Sequence, residues 1–312
     1  MPIFDIEGGP LLVLVRGIWN VALLSAFGTL AFRVVVAPRT LLRAPQDVVQ
    51  PVERALLRLS RTSLAAAGLL LLTWLWLQSA EIAGSASLAS LRAVAGGTMF
   101  GHLVLLQLAA LAAAAVVLGR GGAAARRWLT TGLAAVATAL QAGHGHALAM
   151  ESGPSLLLGA GVLHLLTAGA WLGGLLPLLL TVRVAPARTG AAAARWFSPL
   201  GKWCVGLMAG SAAVQFWVLI GGWRGLIETP YGWVASAKLV LFAVLLGFAW
   251  INRYRFAPRL LGPAGEASRP HLIASIAVQT GFGVLVVLAA SLLSSLPPSV
   301  HEQPVEVSSA TR

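Results

Sequence analysis

Apolar residues in this chain come in long runs, and its polar positions are gathered between the runs rather than alternating with them. A run of about 18 or more apolar residues can cross the ~30 Å hydrocarbon core of a bilayer as a helix. Eight qualify, at about 11–36, 62–82, 97–118, 128–146, 156–182, 203–222, 232–251 and 272–296. The first carries Arg16 and Arg33 near its ends, where long side chains can snorkel to the headgroups. The fourth is diluted at its far end by Gln141, His144 and His146. There is no series of ten-residue alternating segments with turn signals, which argues against an outer-membrane barrel. The pattern predicts an all-α fold, a polytopic membrane bundle of eight transmembrane helices forming one integral domain over 1–312. The acidic start (Asp5, Glu7) and Arg16 do not fit a signal peptide.

The connections supply the orientation. Arg33, Arg39, Arg43, Arg54, Arg58 and Arg61 flank the first, Arg120, Arg126 and Arg127 the third. Arg183, Arg188, Arg195 and Lys202 mark the fifth, and Arg253, Arg255, Arg259 and Arg269 the seventh. These four connections hold 17 of the 22 basic residues, while seven of the 10 acids lie on the other side. Positive charge marks cytoplasmic loops, so both termini are expected to be periplasmic. The longest connection, about 37–61, contains Pro38, Pro45 and Pro51 and suggests a short interfacial helix. The Ala-rich 183–202 segment reads as a flexible loop and 259–271 as a linker.

Composition narrows the class. Hydrophobic residues make up 58% of the 312 and charged ones only 10%, against about 25% in soluble domains. The net charge of +12 would suit a polyanion, but a nucleic-acid interface needs a solvated basic face that this chain lacks the polar residues to build. A single cysteine, Cys204, excludes a disulfide scaffold. Several of the 11 tryptophans (Trp128, Trp203, Trp223, Trp233) fall near span ends and fit interfacial anchoring.

Polar groups inside spans are costly and are functional candidates by default. With the orientation fixed, five of the six histidines fall on the outer side. His102 is one turn into the third span, His144 and His146 end the fourth, and His301 follows the last. His164 lies about eight residues into the fifth, roughly 12 Å deep. Imidazole is the commonest metal ligand, and thioethers select soft ions such as Cu(I). Met99 with His102 and His146 with Met150 are spaced to share a helix face. Taken singly, each histidine could equally be wetted by headgroups or bonded to a neighbouring helix; as a set on one side, they favour a metal.

Four other features are open to more than one reading. Trp171 follows His164 by two turns, and Gly173 and Gly174 let another helix approach closely, so this segment is either a packing notch or the surround of a ligand. Lys238, about six residues into the seventh span, could snorkel, pair with Glu228 or Glu81, or assist a permeating anion or proton. Glu81 is alternatively a wetted helix end. Cys204 and Met208 could form a soft exit site, though sulfur side chains more often simply fill cores.

The stretch VLHLLTAGAWLGGLLPLLL (162–180) resembles the signature helix of the copper resistance protein D family of bacterial inner-membrane proteins. The segment 221–260, with its TPYG turn, the Lys238 helix and an NR-x-R loop, is similar to that family's late core, as are Gly145-His146-Ala147 and LPPSVHEQP (296–304). The resemblance covers about 140–304, and the first four spans match mainly in topology and size. It implies an eight-span copper-handling protein that moves copper inward from the periplasm. Its implied partner is a periplasmic copper-binding protein of the copper resistance C type. His146, His164 and His301 match family histidines, whereas His144 is additional.

Copper transport is therefore the expectation, as Cu(I) or Cu(II), with capture by His102, His144, His146, Met99, Met150 and His301 and passage through His164. The expected partners are copper, lipid and the periplasmic protein, with no nucleic acid. No nucleotide-binding loop or catalytic constellation is present, so no enzyme activity is expected. The alternatives are a redox protein with haem held between two histidines and a non-transporting partner of a copper-delivery complex.

Overall fold

The computed structural model of the chain describes residues 8–120, 123–145, 154–263 and 265–302. Among them there is no strand. The long helices are α1 (Gly9–Val35), α3 (Gln46–Ala83), α5 (Met99–Gly119), α6 (Ala124–Leu140), α7 (Pro154–Val184), α8 (Ala187–Leu219), α10 (Pro230–Ile251) and α12 (Gly265–Leu293). Short helices fill the connections: α2 (Ala37–Leu41), α4 (Leu88–Gly97), α9 (Trp223–Glu228), α11 (Ala257–Arg259) and α13 (Ser299–Glu302). The chain is an all-α, multi-pass membrane bundle, and among the described residues seven helices are long and apolar enough to cross a bilayer.

Helix α6 is the exception. It corresponds to the expected span 128–146 but has only 17 residues, and the chain tightens into a 3₁₀ turn over Gln141–His144. The other seven expected spans each fall within or largely overlap a long helix, with different boundaries. The connection 37–61 divides between the short helix α2 and the start of α3, which begins at Gln46 and runs unbroken through the span. The 183–202 segment is helical from Ala187, in keeping with the high helix propensity of its alanines. The Glu266 carboxylate accepts the orphan Ala187 N–H at 2.7 Å, so the expected linker 259–271 is a turn only in its first residues, and from Gly265 it starts α12 and caps α8.

Helix starts follow side-chain capping. Thr98 accepts the Gly101 N–H at 2.9 Å to open α5, and Thr229 accepts the Gly232 N–H at 3.0 Å to open α10, with Pro230 in the first turn. The Thr229 hydroxyl also lies 2.7 Å from that of Ser299, tying the start of α13 to this turn.

Helices α1 and α7 form the centre. One apolar core lies among α1, α3, α5 and α6, including Trp19, Leu23, Leu71 and Trp74. A second joins α1 and α7 to α8, α10 and α12, including Phe32, Trp171, Leu245 and Ile276. The α1–α7 crossing depends on glycine: a Cβ on Gly173 would overlap the Leu24 carbonyl, and one on Gly28 would overlap the Gly173 backbone.

The basic connections share one end of the bundle, where they bond to one another's helices. Arg33 donates to Ser60, Arg127 pairs with Glu53 at 3.9 Å, Arg269 donates to the Ala185 carbonyl, and Arg253 donates to Ser198. Arg16, at the other end, does not snorkel. It is 9% exposed, lies over the Trp74 ring at 5.7 Å and reaches the Ser294 carbonyl at 3.4 Å.

Candidate metal-handling site

His164 sits on α7, half-buried, and its Nδ1 is 3.0 Å from Ser211 Oγ on α8. The Ser211 hydroxyl donates its only proton to the Met208 carbonyl at 2.9 Å. Toward the histidine it can therefore act only as acceptor, so Nδ1 carries the imidazole proton and Nε2 keeps its lone pair. This is how metal-binding histidines are commonly oriented, with a second group fixing the tautomer.

Lys238 of α10 is half-buried and close enough to act electrostatically on His164. Among the described residues its ammonium has no hydrogen-bond or ion-pair partner. Glu81 and Glu228, its two expected partners, are exposed at helix ends and do not reach it.

Trp171 is 2% exposed, meets Phe242 edge-to-face with centroids 6.0 Å apart, and packs on Gly201. Gly173 admits α1, and Gly174 faces the Phe197 ring of α8. All three make packing contacts between α7 and its neighbouring helices. Cys204 and Met208 are both buried in the same core.

His144 ends the 3₁₀ turn in an aromatic surround. Its ring is 5.0 Å from Trp74 and 5.3 Å from Phe100, both edge-on, and Trp74 stacks on Trp19 at 5.0 Å. Its Nε2 is 2.9 Å from Gln107 Oε1. The fully buried Gln107 donates its amide to the Ala137 carbonyl at 3.1 Å, which fixes Oε1 toward the histidine. His144 Nε2 is then the donor, and Nδ1 is a buried lone pair without a partner among the described residues. Both histidines thus present one free nitrogen, and each has a cation nearby: Lys238 beside His164, and Arg16 beside His144.

His102 is exposed and turned toward the end of α4, its Nε2 bonded to the Gly96 carbonyl at 2.9 Å, and Met99 is 65% exposed. His146 and Met150 lie outside the described residues. His301 falls in α13, and its side chain also lies outside them. Among the described residues no three His, Cys, Asp or Glu side chains converge on a point that could hold a metal. The structure therefore does not gather the expected outer ligands into one described cluster. It adds Ser211, Gln107, Trp74 and Arg16, which the sequence reading did not assign to the site. The signal for the first two was present, since both are hydrogen-bonding residues inside spans.

Two family matches flank the His164 segment. Residues 5–156 match the N-terminal domain of copper resistance protein D-like proteins, and residues 191–293 match copper resistance protein D. The chain belongs to the copper resistance protein D family. It is 28% identical to copper resistance protein D of Pseudomonas syringae pv. tomato over 222 residues, 65% of this chain and 70% of the relative. It is also 28% identical to inner membrane protein YebZ of Escherichia coli (strain K12) over 165 residues, 51% of this chain. The match spans little more than half of that relative's length, 56%. No solved structure matches. Together with the seven apolar helices, these relationships establish a multi-pass protein of the inner membrane.

Proposed function

We propose that this copper resistance D family protein carries copper across the inner membrane from the outer side, with His164 as the ligand at which the ion enters the bundle. The observation that carries this reading is the Nε2 lone pair of His164, exposed to ligation by the Ser211–Met208 hydrogen-bond chain on the most buried of the long helices. The family, copper resistance protein D, supplies the metal. By the positive-inside rule the basic end faces the cytoplasm, which places His164 in the outer half. An ion there meets the charge of Lys238, so singly charged Cu(I) is repelled less than Cu(II). The buried sulfurs of Met208 and Cys204 on α8 suit the softer ion as well. A periplasmic copper-binding protein is the natural donor, and His144 with His146 is the region it would meet.

The test is copper uptake by proteoliposomes holding the purified protein alone. Wild type should accumulate copper, and His164→Ala should lose at least about tenfold in rate, the scale of losing one metal ligand or its support. Equal rates would remove His164 from the path. No uptake by wild type would leave the protein as a non-transporting partner.

One observation favours a second reading. A basic residue beside each half-buried histidine suits a ligand bearing carboxylates, and haem has two propionates. A Soret band in the purified protein, lost in His164→Ala, would establish haem in place of copper.

A further inference from the structure

Helices α8 and α10 make no extensive contact with each other, although both pack on neighbouring helices of the same half. Between them lies a cleft of about 220 Å³ at the basic end of the bundle, backed by α7 and α12. Its deep wall is apolar, from Trp171, Leu175, Leu246 and Ile276. Its rim carries Lys202, Arg253 and the exposed Trp250 and Tyr254.

The α10 backbone departs from α-helical form at this place, over a π-helical turn at Asn252–Phe256. Such turns are rare and concentrate at functional sites. The turn aims Asn252 inward. Its amide nitrogen donates to Gln279 Oε1 at 2.9 Å, while Gln279 donates to the Leu245 carbonyl at 3.2 Å. Asn252 Oδ1 is left buried and without a hydrogen bond among the described residues.

We propose that this cleft holds one anionic phospholipid, of the phosphatidylglycerol or cardiolipin kind. Lys202 and Arg253 take the phosphate. The apolar wall takes the upper part of an acyl chain. Two observations select this occupant: a lateral opening between two membrane helices, and a basic rim at the end that bears the cytoplasmic-type charge. Basic pockets between spans on that face are where anionic headgroups bind. A zwitterionic headgroup would bring its own cation against Lys202 and Arg253.

Native mass spectrometry of the detergent-purified chain, offered equal amounts of phosphatidylglycerol and phosphatidylethanolamine, tests this. Wild type should retain the anionic lipid at least about fivefold over the zwitterionic one. Lys202→Gln/Arg253→Gln should abolish the preference, and Arg43→Gln/Arg58→Gln, with two charges removed elsewhere at the same end, should keep it. Ala249→Phe fills the cleft without altering any charge and should reduce total lipid retention, which decides the matter if the double variant does not fold. Equal retention of the two lipids by wild type overturns the proposal. So does a preference unchanged in both cleft variants, or a dimer in place of a lipid adduct.

Discussion

Ser211 accepts from His164 with the same oxygen that donates to Met208, so one hydroxyl on α8 decides which nitrogen of a histidine on α7 can bind a metal. Replacing that hydroxyl leaves the imidazole in place and frees its tautomer. In Ser211→Ala, Cu(I) affinity measured by competition with a chromophoric chelator should fall about 10- to 100-fold, the usual effect of losing such a supporting bond. An unchanged affinity would mean that Ser211 only packs.

Lys238 should oppose any cation at His164. Lys238→Met removes the charge at nearly constant volume, and Cu(I) should bind about tenfold more tightly, equivalent to ~1.4 kcal/mol. Weaker binding in that variant would instead show that Lys238 holds a carboxylate or other anion belonging to the ligand, in favour of haem.

His144 has a structural share separable from any metal role. His144→Phe keeps the ring between Trp74 and Phe100 but strands Gln107 Oε1, a loss of about 1–3 kcal/mol. Thermal unfolding in detergent should show the drop, and His144→Phe/Gln107→Leu should recover much of it because no buried acceptor then lacks a donor. A double variant less stable than the single one would contradict the pairing.

The α1–α7 crossing gives a sharper stability contrast. Gly173→Ala places a methyl against the Leu24 carbonyl, whereas Gly68→Ala on α3 meets nothing within 4 Å. The first should destabilise by about 1–3 kcal/mol as overpacking, and the second should be neutral or stabilising. Equal melting temperatures would mean the helices separate easily at this point.

Thr229 joins two segments 70 residues apart through its 2.7 Å contact with Ser299. Thr229→Val removes both the α10 cap and that contact, at about 0.5–2 kcal/mol. Limited proteolysis should then cleave after Leu296 several-fold faster than in wild type, and an unchanged rate would show that the tail docks by other means.

The resemblance to the copper resistance D family was legible in the motifs around His164 and 221–260, and the fold class in the run lengths. The connections were less legible. Residues 183–202 and 259–271 read as loops because their alanines, glycines and prolines carry little apolar signal, yet Glu266 capping Ala187 makes them paired helix starts. Arg16 read as a snorkelling side chain, since a sequence does not disclose that Trp74 on α3 and the Ser294 carbonyl converge on its guanidinium.

The sequence by itself determined that the chain is a basic-ended bundle of apolar helices and that His164 lies inside it, because hydrophobic run length and charge placement are local properties that a bilayer reads directly. Tertiary structure alone decided which histidine nitrogens are free, which cation stands beside each, and where α8 and α10 leave a cleft. Those depend on hydrogen bonds and packing between helices tens of residues apart, such as Ser211 to His164 and Gln107 to His144, and no local pattern encodes which helix faces meet.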